Sequence, residues 1–137
     1  MERKVVGQTA SVGFQIGVRR TVPISPEQAW NEMMSIEGLS RWLGTVSSVT
    51  LEPKRTFQTE EGITGEFRIV KPSSQIRLTW KKPEWEKPST LQIRFLSSDG
   101  VKTTVSFHQE HLRDQPVREE MKRRWEEVLH MMRERHA

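Results

Sequence analysis

The chain has 137 residues, 22 Lys and Arg against 18 Asp and Glu for a net charge of +4, and no cysteine. The length suits one domain, and the missing cysteine excludes disulfides, thiolate metal ligands and cysteine nucleophiles. The basic excess points to no nucleic-acid partner, because acidic residues interleave with basic ones, as in Arg118-Glu119-Glu120-Met121-Lys122-Arg123-Arg124-Trp125-Glu126-Glu127.

Residues 1–12 are polar and aperiodic and read as a flexible N-terminal segment, leaving 13–137 as a single domain. Met1-Glu2-Arg3-Lys4-Val5-Val6-Gly7-Gln8 lacks the apolar run of a secretory signal, and no later stretch has membrane-spanning length. A cytoplasmic protein without membrane insertion is expected. Phe14, Ile16 and Val18 alternate as in a strand with one buried face. Ser25, Pro26 and Gln28 then spell a capped helix start, with Gln28 placed to reach back to the Ser25 amide. The spacing predicts a short helix from Pro26 to Met34, burying Trp30, Met33 and Met34, and a second helical turn from Ile36 to Gly44.

After Gly44 the period changes to two for some sixty residues, broken by turn residues, which predicts an antiparallel meander. Its inward set is Val46, Val49 and Leu51; Ile63, Phe67 and Ile69; Ile76, Leu78 and Trp80; Leu91, Ile93 and Phe95; Val101, Val105 and Phe107. Charged and polar neighbours such as Arg68, Arg77, Gln92, Arg94 and Ser106 face out. The stretch Lys81-Lys82-Pro83-Glu84-Trp85-Glu86-Lys87-Pro88 reads as a protruding loop. Asp114 or Gln115 caps a last helix from Pro116 to Glu134, with Met121, Trp125, Val128, Leu129 and Met132 along one side.

Strand, two short helices, meander and long terminal helix form the order of an α+β helix-grip fold, a curved six- to seven-stranded antiparallel sheet around a helix. Four phrases carry a closer likeness: Ile24-Ser25-Pro26-Glu27-Gln28-Ala29-Trp30, Gly38-Leu39-Ser40-Arg41-Trp42-Leu43-Gly44, the Gly65-Glu66-Phe67 to Leu78-Thr79-Trp80 pair, and Trp125-Glu126-Glu127-Val128-Leu129. Over residues 14–134 the chain resembles the activator-of-heat-shock-ATPase homologue family of the START-like (SRPBCC) superfamily. The resemblance implies an apolar cavity or groove between sheet and terminal helix. For some members it implies partnership with the ninety-kilodalton heat-shock chaperone.

A ligand-binding cavity would be lined by Trp30, Met33, Trp42, Phe67, Trp80, Phe95, Phe107, Trp125, Leu129 and Met132, and would take a small hydrophobic molecule or a protein client. The same residues could equally form a filled core, leaving a chaperone-associated or stress-response interaction module. Trp85, among prolines and charges, is a candidate lid or partner contact.

No catalytic residues are assigned, since the inward set holds only Thr103 as a clear polar member and general acid–base work needs a titratable group there. Arg20 and Arg41 stand at most at the rim. His108-Gln109-Glu110-His111 places its two imidazoles on different sides of a strand end, so no metal and no cofactor are expected. His130 and His136 read as surface residues, and the sequence leaves monomer and dimer both open.

Overall fold

The computed structural model describes residues 8–9 and 13–137. The expectation for the N-terminal twelve therefore lies, apart from Gln8–Thr9, outside the described residues. Those two form β1 and pair with the start of β2, Gly13–Val22.

Helix α1 (Pro26–Met34) begins as the sequence dictates. The Gln28 amide donates to Ser25 Oγ at 3.2 Å and the Ser25 amide to Gln28 Oε1 at 3.0 Å, so two orphan donors of the first turn are satisfied reciprocally. Ser35 ends α1 and caps α2 (Ile36–Trp42), its Oγ accepting from the Gly38 amide at 3.0 Å. Strands β3 (Thr56–Gln58), β4 (Thr64–Lys71), β5 (Gln75–Trp80), β6 (Ser89–Leu96) and β7 (Thr103–Leu112) follow, then helix α3 (Gln115–Arg135), whose first amides are capped by Asp114. The strands form one antiparallel sheet in the order β1-β2-β7-β6-β5-β4-β3. Helix α3 packs against β2, β7 and α2, so the first long strand and the last helix meet.

The inward residues of β5 and β6, with Val105 and Phe107 of β7, are fully or almost fully buried, and Met121, Trp125, Val128, Leu129 and Met132 of α3 face them. This is the one-sided burial that alternation dictates. Each fully buried indole has an acceptor: Trp42 Nε1 donates to Met33 O at 2.9 Å, Trp80 Nε1 to Leu43 O at 3.0 Å, and Trp125 Nε1 to Gln109 Oε1 at 2.8 Å.

Three details of the meander differ from expectation. Residues 45–55 form no strand, although Val46 is buried and Val49 and Leu51 pack on the core. Pro53 lacks an amide and Lys54 has φ 73°, so the segment turns and meets β4 only through Lys54 N to Phe67 O and Phe67 N to Arg55 O. In β4 the register shifts between Phe67 and Ile69, which reverses the alternation; Val70 rather than Ile69 packs on the core. Val101 is 65% exposed because Asp99 Oδ1 accepts from the amides of Val101 and Lys102 and holds both in the hairpin turn.

Candidate functional site

All ten residues expected to line the interior are buried in one cluster between sheet and helices. Aromatic rings run through it from surface to centre. Trp85 meets Trp80 edge to face with centroids 5.5 Å apart, Trp80 meets Trp125 at 5.6 Å, and Trp125 stacks on Phe107 at 5.0 Å. Trp30 and Phe95 make a second edge contact at 5.4 Å. At the far end, the crevice between Met33, Gly38, Val128 and Met132 has a volume of about 10 Å³, room for about one water molecule.

Polar groups in this interior form a chain that the alternation of β7 contains. Besides Thr103, whose hydroxyl donates to Ile24 O at 2.8 Å, the buried polar residues are Thr59, Ser89 and Gln109. Gln109 accepts from Trp125 and donates through Nε2 to Ser89 Oγ at 2.9 Å, and Ser89 Oγ donates to Trp80 O at 2.6 Å. Counting by twos from Val105 reaches Gln109, and a buried tryptophan needs an acceptor. Those two signals locate the network from sequence.

Arg124 was not singled out from sequence. Its guanidinium lies over the rings of Trp80 and Trp125, 5.0 and 5.4 Å from their centroids, and Nη2 donates to Trp42 O at 3.1 Å. Burial pulls its pKa below the usual arginine range, against the opposing pull of Glu61 and Glu120.

One open volume lies beside Trp85. A groove of about 360 Å³ is lined by Trp85, Glu86 and Lys87 of the β5–β6 connection, by His111 and Leu112 at the end of β7 with Arg113 just after it, and by Gly13. Trp85 is half-buried, one edge on Trp80 and the other towards the groove. Leu112 adds an apolar floor, and the rim carries both signs, Lys87 and Arg113 against Glu86; Arg113 Nε lies 2.9 Å from Asp114 Oδ2.

The two strand-end histidines border different depressions, His108 the one beside Gln92 and Ser106 and His111 the groove at Trp85, and share one neighbour. His111 has φ 65°, and β7 carries extra backbone where Phe14 and Ile16 of β2 face Leu112 and Gln109. Both imidazoles consequently flank one carboxylate: His108 Nδ1 is 3.5 Å from Glu110 Oε1, and His111 Nε2 is 3.9 Å from Glu110 Oε2. Of the two rim arginines, Arg20 Nη1 is 3.4 Å from His130 Nδ1 and Arg41 lies 3.7 Å from Glu37. His136 sits 3.0 Å from Glu32.

On the loop beside α2, Glu61 accepts from the hydroxyl of Thr45 and, at 2.8 Å, from its amide; these bonds hold its pKa down to about 2 from an ordinary 4.5. A depressed carboxylate contributes stability above its unfolded value and loses it as pH falls through the folded one. The urea midpoint should therefore decline between pH 4.5 and about 2, and Glu61→Gln should flatten that part of the profile. The effect is small because the group is solvent-screened.

A long helix held on the concave face of a seven-stranded antiparallel sheet, with two short helices between its first long strand and the meander, defines a START-like helix-grip domain. The family model described as activator of Hsp90 ATPase homolog 1-like protein matches residues 23–137, and the chain belongs to that family. Solved structures share the fold. An HSP90 activator from Plasmodium falciparum aligns with TM-score 0.73 at 23% identity, over 85% of this chain and 91% of that one. CalU16 from Micromonospora echinospora aligns with TM-score 0.72 at 17% identity, over 87% and 71%. The Aha1 dimer from Colwellia psychrerythraea aligns with TM-score 0.69 at 14% identity, over 89% and 95%. No curated protein matches the sequence. Among the described residues, no helix is long and apolar enough to cross a membrane.

Proposed function

We propose that this chain is a non-catalytic binding domain of the cytoplasm that takes a small hydrophobic molecule, or an apolar side chain of a protein client, in the groove beside Trp85. The observation that carries the reading is the groove itself. Its volume of about 360 Å³ reaches the lower range of small-molecule sites, and its tryptophan wall continues into the buried aromatic chain. Of the ten interior residues, Trp80 stands directly behind Trp85 and Trp125 behind Trp80, while Met33 and Met132 line the crevice at the far end. The non-catalytic reading rests on the interior behind the groove, whose polar residues Thr59, Ser89, Thr103 and Gln109 do not titrate near neutral pH, and on the solvent exposure of the groove's own ionisable residues Glu86, Lys87 and His111. No cofactor is part of the proposal.

Native mass spectrometry of freshly purified protein should show retained apolar guests, and a solvatochromic dye should bind saturably. Trp85→Ala should weaken the dye about tenfold, the loss of one well-packed aromatic anchor. A clean apo mass together with non-saturable dye binding would overturn the reading.

A second reading is favoured by the family match and by the likeness to a protein titled an HSP90 activator. In it the chain is a chaperone-associated module with a purely structural interior. A rise in the ATPase rate of a purified HSP90 on addition of the chain, unchanged by Trp85→Ala, is its signature.

A further inference from the structure

The sheet's outward face carries charge that the groove does not use. Across β2, β7 and β6 the register sets Arg19 opposite Ser106 and Ser106 opposite Arg94; one residue pair along, Gly17 faces His108, His108 faces Gln92, and Gln92 faces Arg77. Arg19, Arg77 and Arg94 are exposed, and among the described residues none lies in an ion pair. Of the carboxylates on the same face, Glu66 is 2.9 Å from Arg68, and Glu110 has the rings of His108 and His111 beside it at 3.5 and 3.9 Å; the three arginines outnumber it. Beside Arg94 lies a shallow depression of about 420 Å³, open because Gly17 brings no side chain and bordered by Gln92, Arg94, Ser106, Phe107, His108 and Glu110. Nothing crowds that glycine, since an added Cβ would find its nearest neighbours 3.8 and 3.9 Å away.

We infer that this outward face is a docking surface for an extended acidic segment of a partner protein, whose carboxylates pair with Arg19, Arg94 and Arg77. Spacing supports an extended peptide. Two strands apart, Arg19 and Arg94 are separated by about 10 Å at their Cα atoms, while Arg94 and Arg77 stand diagonally on neighbouring strands about 7–8 Å apart. Alternate side chains of an extended peptide recur every ~7 Å on one face, so acidic residues two positions apart meet successive guanidinium groups, which suit carboxylates geometrically. Nucleic acid fits less well. Trp30, Trp42, Trp80 and Trp125 are buried on the other side of the sheet and Trp85 sits in the β5–β6 connection, so among the described residues this face offers no indole and only the single imidazole of His108 on which a base could stack. The depression shares no lining residue with the Trp85 groove, and the inference does not depend on that site.

The test is fluorescence anisotropy of the full chain with a fluorescein-labelled peptide of alternating glutamate and glycine, about ten residues long to span the arginines. Binding should be saturable at ~20 mM salt and largely lost at ~500 mM, as screening requires. The triple variant R19Q/R77Q/R94Q should lose about tenfold in affinity, three exposed ion pairs' worth, with its thermal midpoint unchanged. Arg123→Gln, a charge removed from the exposed side of α3, should leave affinity as it is. Equal losses in both variants, no binding at low salt, or displacement of the peptide by a single-stranded oligonucleotide of equal charge at lower concentration would each overturn the inference.

Discussion

Trp125→Ala is expected to cost about 3 to 5 kcal/mol, enough to leave a domain of this size at or below the limit of folding. Two losses combine. The indole is fully buried, stacked on Phe107 and edge-on to Trp80, so truncation leaves a void that the rigid sheet closes only in part. Its N–H also satisfies Gln109 Oε1, which stays buried and unpaired in the variant while its Nε2 holds Ser89. Urea unfolding followed by circular dichroism measures the total. Trp85→Ala provides the contrast, because Trp85 is half-buried and its main aromatic contact is one edge of Trp80; a cost of about 1 kcal/mol is expected. Similar costs at both positions would mean that the centre of the sheet–helix contact lies elsewhere.

Gly65→Ala should be nearly as damaging, at about 3 kcal/mol, although it adds a single carbon. A Cβ on Gly65 would stand 1.9 Å from the backbone oxygen of Thr79 and 2.6 Å from the ring of Phe57. The ring could turn, but the carbonyl belongs to β5, and moving it pulls apart the strand pair whose register is already offset beside Phe67. The Glu66 amide, which donates to Thr79 Oγ1 at 2.9 Å, would be displaced as well. Thermal unfolding of the purified variant is the measurement, and a midpoint near that of the parent would show that β4 and β5 can separate cheaply.

Local chemistry made much of this fold legible. Ser25, Pro26 and Gln28 state the start of α1 in their own hydrogen-bonding groups, and α3 shows its buried side through Met121, Trp125, Val128, Leu129 and Met132. Strands β5 and β6 follow strict alternation and place Ile76 to Phe95 without error. The departures come where a single residue changes the phase or the backbone finds another partner. The offset in β4 exchanges Ile69 for Val70, Asp99 draws Val101 into a turn, and the extra backbone in β7 leaves His111 3.9 Å from the Glu110 carboxylate. Periodicity has no term for such local insertions.

The site was less legible than the fold. Burial of the ten interior residues follows from pattern, but the space left among them depends on how three tryptophans interlock, and no spacing rule encodes that. Arg124 was hidden for a related reason. Amid alternating charges it reads as one more solvated cation, and only the two rings beneath it give it a different environment.

The fastening of β2 to α3 bears on how the chain is made. Arg118 Nε donates to Gln15 O and Arg133 Nη1 to Thr21 O, joining residues 103 and 112 positions apart. During synthesis the full sheet can assemble only after β7 has left the ribosome, and its oily side stays uncovered until α3 follows. For that interval the nascent chain offers apolar strands to any neighbour, so its yield in a cell should depend on which holding chaperones are near.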